Sequence, residues 1–202
     1  MIETLIQADR SLFSILNGAH VAWLDPIMAF FSQTWVWIPL YLGIVVALFY
    51  TRSGGTAGRS RVYFALFSLV AIGLCFALCD QAGAWGKAYF ERLRPCWDPQ
   101  LSETVHLLEG RGSRFGFPSN HAANCFGLAV LTALIFKKRL YTILMLLWAA
   151  VVAYSRIYVG KHFPLDVICG ALLGTAIALL VAWVFFRWVR SVRYTKWFHA
   201  NT

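Results

Sequence analysis

Acidic side chains are scarce in this chain, and charge of either sign is thin. Only 13% of its 202 residues are charged, with 9 Asp and Glu against 18 Lys and Arg. An ordinary soluble domain carries about 25% charged residues, so that class is excluded. The acids form no cluster with the spacing of a divalent-cation site, and no metal or cofactor is expected. Cysteine occurs in an odd number, as Cys75, Cys79, Cys96, Cys125 and Cys169, which supplies no disulfide framework. Their spacing does not suit zinc. Cys75 and Cys79 share a helix face, and the four cysteines inside apolar runs pack as small apolar residues. Cys96 stands beside a polar loop, where thiol chemistry is the alternative. No basic segment precedes an apolar core at the start, so a cleaved signal peptide is not expected. The cations gather on no solvated domain, which argues against a nucleic-acid partner despite a net charge of +9.

What the chain does have is long apolar runs. Hydrophobic residues make up 59% of it. Five runs, near 27–50, 62–84, 118–136, 140–157 and 164–187, approach or exceed the roughly 20 residues that cross a bilayer. The expected fold is all-α: an integral membrane helical bundle of about five transmembrane helices, one domain over 1–202. Residues 1–20 read as an interfacial helix with an apolar stripe of Leu5, Ile6, Leu12, Phe13 and Leu16, and with Glu3, Asp9 and Arg10 at polar positions. Residues 27–187 form the transmembrane core. Asp25-Pro26 opens the first span, with Trp23, Trp35 and Trp37 as interfacial anchors. Residues 51–61 read as a flexible loop and 188–202 as a basic tail touching anionic lipid. Gly170 and Gly174 make a close-packing face within the monomer.

Charge assigns the topology. Arg52, Arg59, Arg61, Lys137, Lys138, Arg139, Arg187, Arg190, Arg193 and Lys196 all lie on one side of the five runs, with no acid among them. The positive-inside rule puts those loops and the C-terminus in the cytoplasm. The 85–117 and 155–163 segments then face outward together, from the inner membrane of a cell. Asp80 sits near the outer end of the second run. Its expected role is to pair with a loop cation or to cap a neighbour, with function as the alternative for an intramembrane acid.

Three polar stretches meet at that outer face. Lys87 and Arg94 are seven residues apart, two helical turns, so both project from one face, and Pro95 ends that helix or forces an extended exit. Such a pair suits a phosphate, and equally suits anionic headgroups without chemistry. Arg92 points elsewhere by spacing, as a surface or headgroup contact. Pro118-Ser119-Asn120-His121 has the look of a helix start, whose free N–H groups and dipole favour an anion; an ordinary cap with an interfacial histidine is the plainer account. Between these two stretches, 96–115 is an irregular outer loop that shapes substrate entry, and His106 within it is a solvated histidine. Ser155-Arg156 is followed by His162 and Asp166. Arg156 forks onto phosphate oxygens, and His162 is a nucleophile or acid–base group near neutral pH. Asp166, four residues on, comes back towards the imidazole.

The order and spacing of these parts resemble the signature of the type 2 phosphatidic acid phosphatase superfamily. That signature is Lys, six residues, Arg-Pro; then Pro-Ser-Gly-His; then Ser-Arg, five residues, His, three residues, Asp. Every fixed position matches except Asn120, which stands where the family has Gly. The resemblance implies a metal-independent lipid phosphatase. Lys87, Arg94, Arg156, Ser119 and Asn120 bind the phosphate. His162 forms a phosphohistidine, Asp166 orients it, and His121 protonates the leaving oxygen. The expected partners are the bilayer and a membrane lipid phosphate or pyrophosphate: undecaprenyl pyrophosphate first, a lipid A phosphate second, then phosphatidylglycerophosphate or phosphatidic acid. A lipid-to-lipid phosphotransferase and a non-enzymatic anionic-lipid binder or transporter are the alternatives.

Overall fold

The computed structural model describes the backbone of residues 2–50 and 58–200, and the side chains of 3–50 and 62–189. Its helices are α1 (Ile2–Gly18), α2 (Asp25–Ser32), α3 (Ile38–Tyr50), α4 (Gly58–Phe90), α5 (Asn120–Phe136), α6 (Arg139–Tyr158) and α7 (Pro164–Ala200). Single 3-10 turns cover Trp35–Trp37 and Pro95–Trp97. The all-α expectation holds among the described residues. The side chains of Arg52, Arg59, Arg61, Arg190, Arg193 and Lys196, which carried much of the topology argument, lie outside them. The expected loop over 51–61 lies outside them as far as residue 57, and its last residues, 58–61, are helical, forming the start of α4.

α5 is the axis of the bundle. It packs most extensively on α7, and also on α6 and α4. Its sequence explains this: Ala122, Ala123, Gly127, Ala129 and Ala133 are small and buried, so neighbouring backbones come close. A Cβ at Gly174 would run into the Ala123 carbonyl oxygen, and one at Gly170 into the Ser119 carbonyl oxygen. The glycine pair therefore packs within the monomer, as expected. The Ser119 hydroxyl caps α5 by accepting from the Ala122 N–H at 3.5 Å.

Among the described residues, three helices are long and apolar enough to cross a bilayer: Val62–Phe90, Arg139–Tyr158 and Pro164–Val189. The run 27–50 is not one straight span. It bends by 75° between α2 and the Trp35–Tyr50 segment, because Gln33 caps α2 in an extended conformation. Taken as one span, the bent pair is a fourth. α5 has 17 residues; at 1.5 Å each it is about 25 Å long, under the roughly 30 Å hydrocarbon core.

α1 is docked on the bundle by more than its stripe. Phe13 is buried edge-on against Phe163, with ring centroids 5.3 Å apart. Asn17 is buried as well; its Nδ2 donates to the carbonyls of His106 and Tyr158 at 3.0 and 2.8 Å, and its Oδ1 accepts from the His106 N–H at 2.8 Å. Asp9, expected at a polar position, is 4% exposed and accepts from the Leu165 N–H at 2.9 Å. Leu5, Leu12 and Ile15 face outward. His106 is not a solvated loop histidine: it stacks on His20 at 3.6 Å and lies 3.1 Å from Asp25 Oδ1. Arg10 pairs with Asp98 at 2.8 Å, which fixes the base of the 96–115 loop.

The glycine contact sets a stability test. Gly174→Ala will cost about 1–3 kcal/mol through the forced separation of α5 and α7, seen as a lower melting midpoint in detergent. Gly73→Ala, where nothing lies within 4 Å of the new methyl, will leave the midpoint unchanged or raise it by the helix propensity of Ala, about 1 kcal/mol.

Candidate active site

α4 delivers Lys87 in its last turn and ends at Phe90. Glu91 then takes a positive φ of 46° and breaks the helix. Residues 92–94 run extended against 114–116, with Arg94 N–H donating to Arg114 O at 3.0 Å and Gly116 N–H to Arg92 O at 2.9 Å. Lys87 and Arg94 thus reach the site by different routes, not along one helix face. Arg94 is extended because the residue before a proline is pushed out of the helical region; its ψ is 159°. Its Nη1 lies 3.2 Å from His162 Nε2 and donates to Lys161 O at 3.2 Å, and its Nη2 donates to Ser113 Oγ at 3.1 Å.

His162 is 2% exposed and sits just ahead of Pro164, the first residue of α7. With Nε2 towards Arg94, its Nδ1 faces Asp166 Oδ2 at 3.5 Å, longer than a hydrogen bond. Gly116 closes over this pair: a Cβ there would sit 3.1 Å from Asp166 Oδ2 and 3.5 Å from His162 Nδ1. Asp166 Oδ2 accepts from the Phe163 N–H at 3.0 Å. Its other oxygen accepts from Arg92 Nη1 at 2.8 Å, while Arg92 Nη2 pairs with Asp9. Arg92 is therefore not a headgroup contact. It lies over the Phe163 ring at 4.7 Å and joins α1 to the carboxylate beside the buried imidazole. Burial first, and then the charges of Arg94, Arg156 and Lys87, hold the imidazole pKa of His162 well below its ordinary value.

The start of α5 brings its residues to the same place. His121 Nε2 lies 3.2 Å from Thr34 Oγ1, within electrostatic reach of Arg94, Arg156 and His162. Ser119 is fully buried. Asn120 turns sideways: its Oδ1 accepts from Lys87 Nζ and its Nδ2 donates to Asp80 Oδ1 at 3.1 Å. Asp80 also accepts from Asn124 Nδ2 at 2.9 Å. It pairs with no loop cation here; it orients two amides of α5. Gly83 makes room, since a Cβ there would collide with Asn120 Oδ1. The residue in the family's glycine position is thus built into the wall that aims Lys87.

Arg156 is 6% exposed; its Nη1 donates to Ser32 O at 3.1 Å and to Ser32 Oγ, and lies 3.5 Å from Glu109 Oε2. Its Nε is buried without a partner. Lys161 donates to Gly110 O and lies 3.9 Å from Glu109 Oε2. Of the eight side chains expected at the site, Arg94, His162 and Asp166 lie side by side, Lys87 meets Asn120, and His121 and Arg156 come within electrostatic reach of them, while the Ser119 hydroxyl caps α5. Sequence reasoning missed Asp9, Arg92, Glu109, Lys161 and the Ser32-Gln33-Thr34 elbow. A polar triplet inside the apolar run 27–50 was the one available signal for the elbow.

Clustered cations, two histidines and a carboxylate on a helical scaffold mark a phosphate-handling membrane protein. Comparison with known proteins fixes the family. The sequence model of the PAP2 superfamily matches residues 62–190, and the chain belongs to that superfamily. It is 36% identical to a lipid A 4'-phosphatase of Bacteroides thetaiotaomicron, over 86% of this chain and 75% of that protein. It is 32% identical to a lipid A 4'-phosphatase of Porphyromonas gingivalis, over 93% and 79%. An undecaprenyl-diphosphatase of Sulfolobus acidocaldarius is 30% identical over 88% and 79%. The crystal structure of Aquifex aeolicus LpxE superposes with a TM-score of 0.65 at 27% identity, covering 85% of this chain and 92% of that one.

Two outcomes follow from the Arg92 bridge and the buried imidazole. Arg92→Ala leaves two nearly inaccessible carboxylates without a cation, at a cost of about 3–5 kcal/mol; denaturant unfolding in detergent will report it. His162 is neutral when folded and titrates near pH 6.5 when unfolded, so its contribution is fully present above about pH 6.5 and is lost as pH falls below it. The loss runs at up to about 1.4 kcal/mol per pH unit, and His162→Asn will flatten that part of the melting-midpoint profile between pH 7 and 5.

Proposed function

We propose that this protein hydrolyses a terminal phosphate from a membrane lipid at the outer face of the inner membrane, through a phosphohistidine at His162. The observation that carries the reading is the orientation of that ring: Nε2 towards the Arg94 guanidinium, Nδ1 towards Asp166. Phosphoryl oxygens are bound by Lys87, Arg94 and Arg156, with the Ser119 hydroxyl and the N-terminus of α5 behind them. Neutral Nε2 attacks phosphorus, and the P–O ester bond breaks. His121 gives its proton to the leaving oxygen. Asp166 takes up the positive charge that develops on the ring. Water, deprotonated by His121, then attacks the P–N bond, releasing inorganic phosphate and restoring both histidines. Charge on the transferring group is met by three cations, so the reaction is expected to proceed in EDTA.

For the substrate, the reading here moves lipid A phosphate ahead of undecaprenyl pyrophosphate. The relatives at 36% and 32% identity carry the lipid A 4'-phosphatase name, against 30% for the diphosphatase. An apolar groove of about 480 Å³, lined by Leu5, Ile6, Phe90, Leu93, Phe117 and Phe163, opens beside Arg92 and gives a lipid chain a place to lie. In this reading α5 also crosses the bilayer as the innermost of five spans, and the basic loops and C-terminus face the cytoplasm. Purified full-length protein will release phosphate from lipid A in detergent with EDTA present, and His162→Ala will lower the rate by on the order of 10⁴-fold or more. Strict dependence on added metal, or an active His162→Ala protein, rejects the mechanism.

A further inference from the structure

The outer loop sends one carboxylate into the socket, and the phosphatase reading gives it no task. Glu109 Oε2 faces Arg156 Nη1 at 3.5 Å and Lys161 Nζ at 3.9 Å, and Arg94 also feels its charge. Its other oxygen is anchored by two neutral donors, Ser32 Oγ at 2.5 Å and Gln33 Nε2 at 3.3 Å. The next residue is tied down too, because Lys161 donates to Gly110 O. Two of the contacts on the Glu109 carboxylate are therefore neutral, and they stand beside its ion pairs with Arg156 and Lys161. When Arg156 turns to a phosphate, Ser32 and Gln33 still hold the carboxylate in place.

The position of the anchor matters. Ser32, Gln33 and Thr34 are consecutive, and Thr34 holds His121, the group that protonates the leaving oxygen. Glu109 is thus anchored on the same elbow that meets His121, which in the phosphatase reading is the leaving-group side. In a phosphate monoester that side carries the alcohol. In a diphosphate ester it carries a second, charged phosphate, brought against a fixed carboxylate in a poorly solvated site where like charges repel strongly.

We infer that Glu109 is a specificity-determining residue that limits the socket to one phosphate group, so that the substrate class is a phosphate monoester on a neutral, hydroxyl-bearing headgroup such as a sugar. The inference rests on the phosphatase reading above. Glu109 Oε2 accepts from a headgroup hydroxyl, while an inner phosphate is turned away. Lys161 gives no shelter to that second phosphate, because Glu109 already offsets its charge.

Farnesyl monophosphate and farnesyl diphosphate share one chain and differ by the group in question. Phosphate release from each, by full-length protein in the same detergent, gives a monophosphate-to-diphosphate ratio of kcat/KM. The wild-type ratio will favour the monophosphate, and it will fall at least tenfold in both Glu109→Gln and Glu109→Ala. A wild-type preference for the diphosphate, or a smaller fall in either variant, overturns the inference. Wild-type protein supplies a check that needs no variant: inorganic phosphate will inhibit at lower concentration than pyrophosphate, and the reverse order overturns the inference as well. Wild-type protein that releases phosphate from neither substrate, nor from lipid A, removes the phosphatase reading itself and is distinguishable from each of those results.

Discussion

One hydrogen bond joins the two helix starts on which the site is built: the Ser119 N–H donates to the Asp166 carbonyl at 2.9 Å. It forms only because α5 and α7 approach to backbone contact, with Gly170 against the Ser119 carbonyl and Gly174 against the Ala123 carbonyl. Larger residues at either glycine would separate the helices and pull His121 away from His162 together. The same approach points the N-termini of α5 and α7 at one volume, so their positive dipole ends reinforce the cations from α4, α6 and the loops. The small-residue stripe thereby sets both the packing of the bundle and the field of its socket.

That field is shaped by where the acids are spent. Asp166 is matched by Arg92, which Asp9 shares, and Asp80 is matched by two amides. Neither carboxylate draws Lys87, Arg94 or Arg156 away through a direct ion pair. Arg156 Nε and His162 Nδ1 remain buried without hydrogen-bond partners, a costly condition for a neutral protein interior and a useful one where an anion is to be bound and charge is to develop on an imidazole. The unfavourable terms are concentrated at the site and offset by the α5–α7 contact and the apolar core around it.

The chemistry of the site was legible in the sequence because it is written in short spacings. Four residues from His162 to Asp166, and the Pro-Ser-Asn-His start of α5, act over one helical turn. Longer reach was not legible. Thr34 meets His121 across 87 residues, Arg92 meets Asp9 across 83, and Ser32 meets Arg156 across 124; no periodicity in one segment encodes a partner in another. Arg94 shows the limit on a smaller scale. Helical spacing from Lys87 gave the right destination by the wrong path, because a positive φ at Glu91 and the proline after Arg94 replaced the last helical turn with extended chain. Apolar length likewise marked the run 27–50 but not its 75° elbow, which follows from backbone capping at Gln33 rather than from hydropathy.

The elbow also divides the labour within the chain. The family match covers 62–190 and contains every signature residue, yet Asp9, Ser32, Gln33 and Thr34 all precede it. From there they touch the groups to which the proposed mechanism assigns the chemistry: Asp9 the Arg92 that holds Asp166, Ser32 the Arg156 guanidinium, Thr34 the His121 ring. In the proposed mechanism, phosphate capture and in-line attack need cations and an imidazole close together, and those residues lie in the matched core. The choice of ester depends on what borders the leaving oxygen, and that border comes from the first fifty residues and the loop carrying Glu109. Neither the elbow nor the Glu109 loop forms part of the signature, so in the proposed reading the substrate can change with them while the reaction is kept.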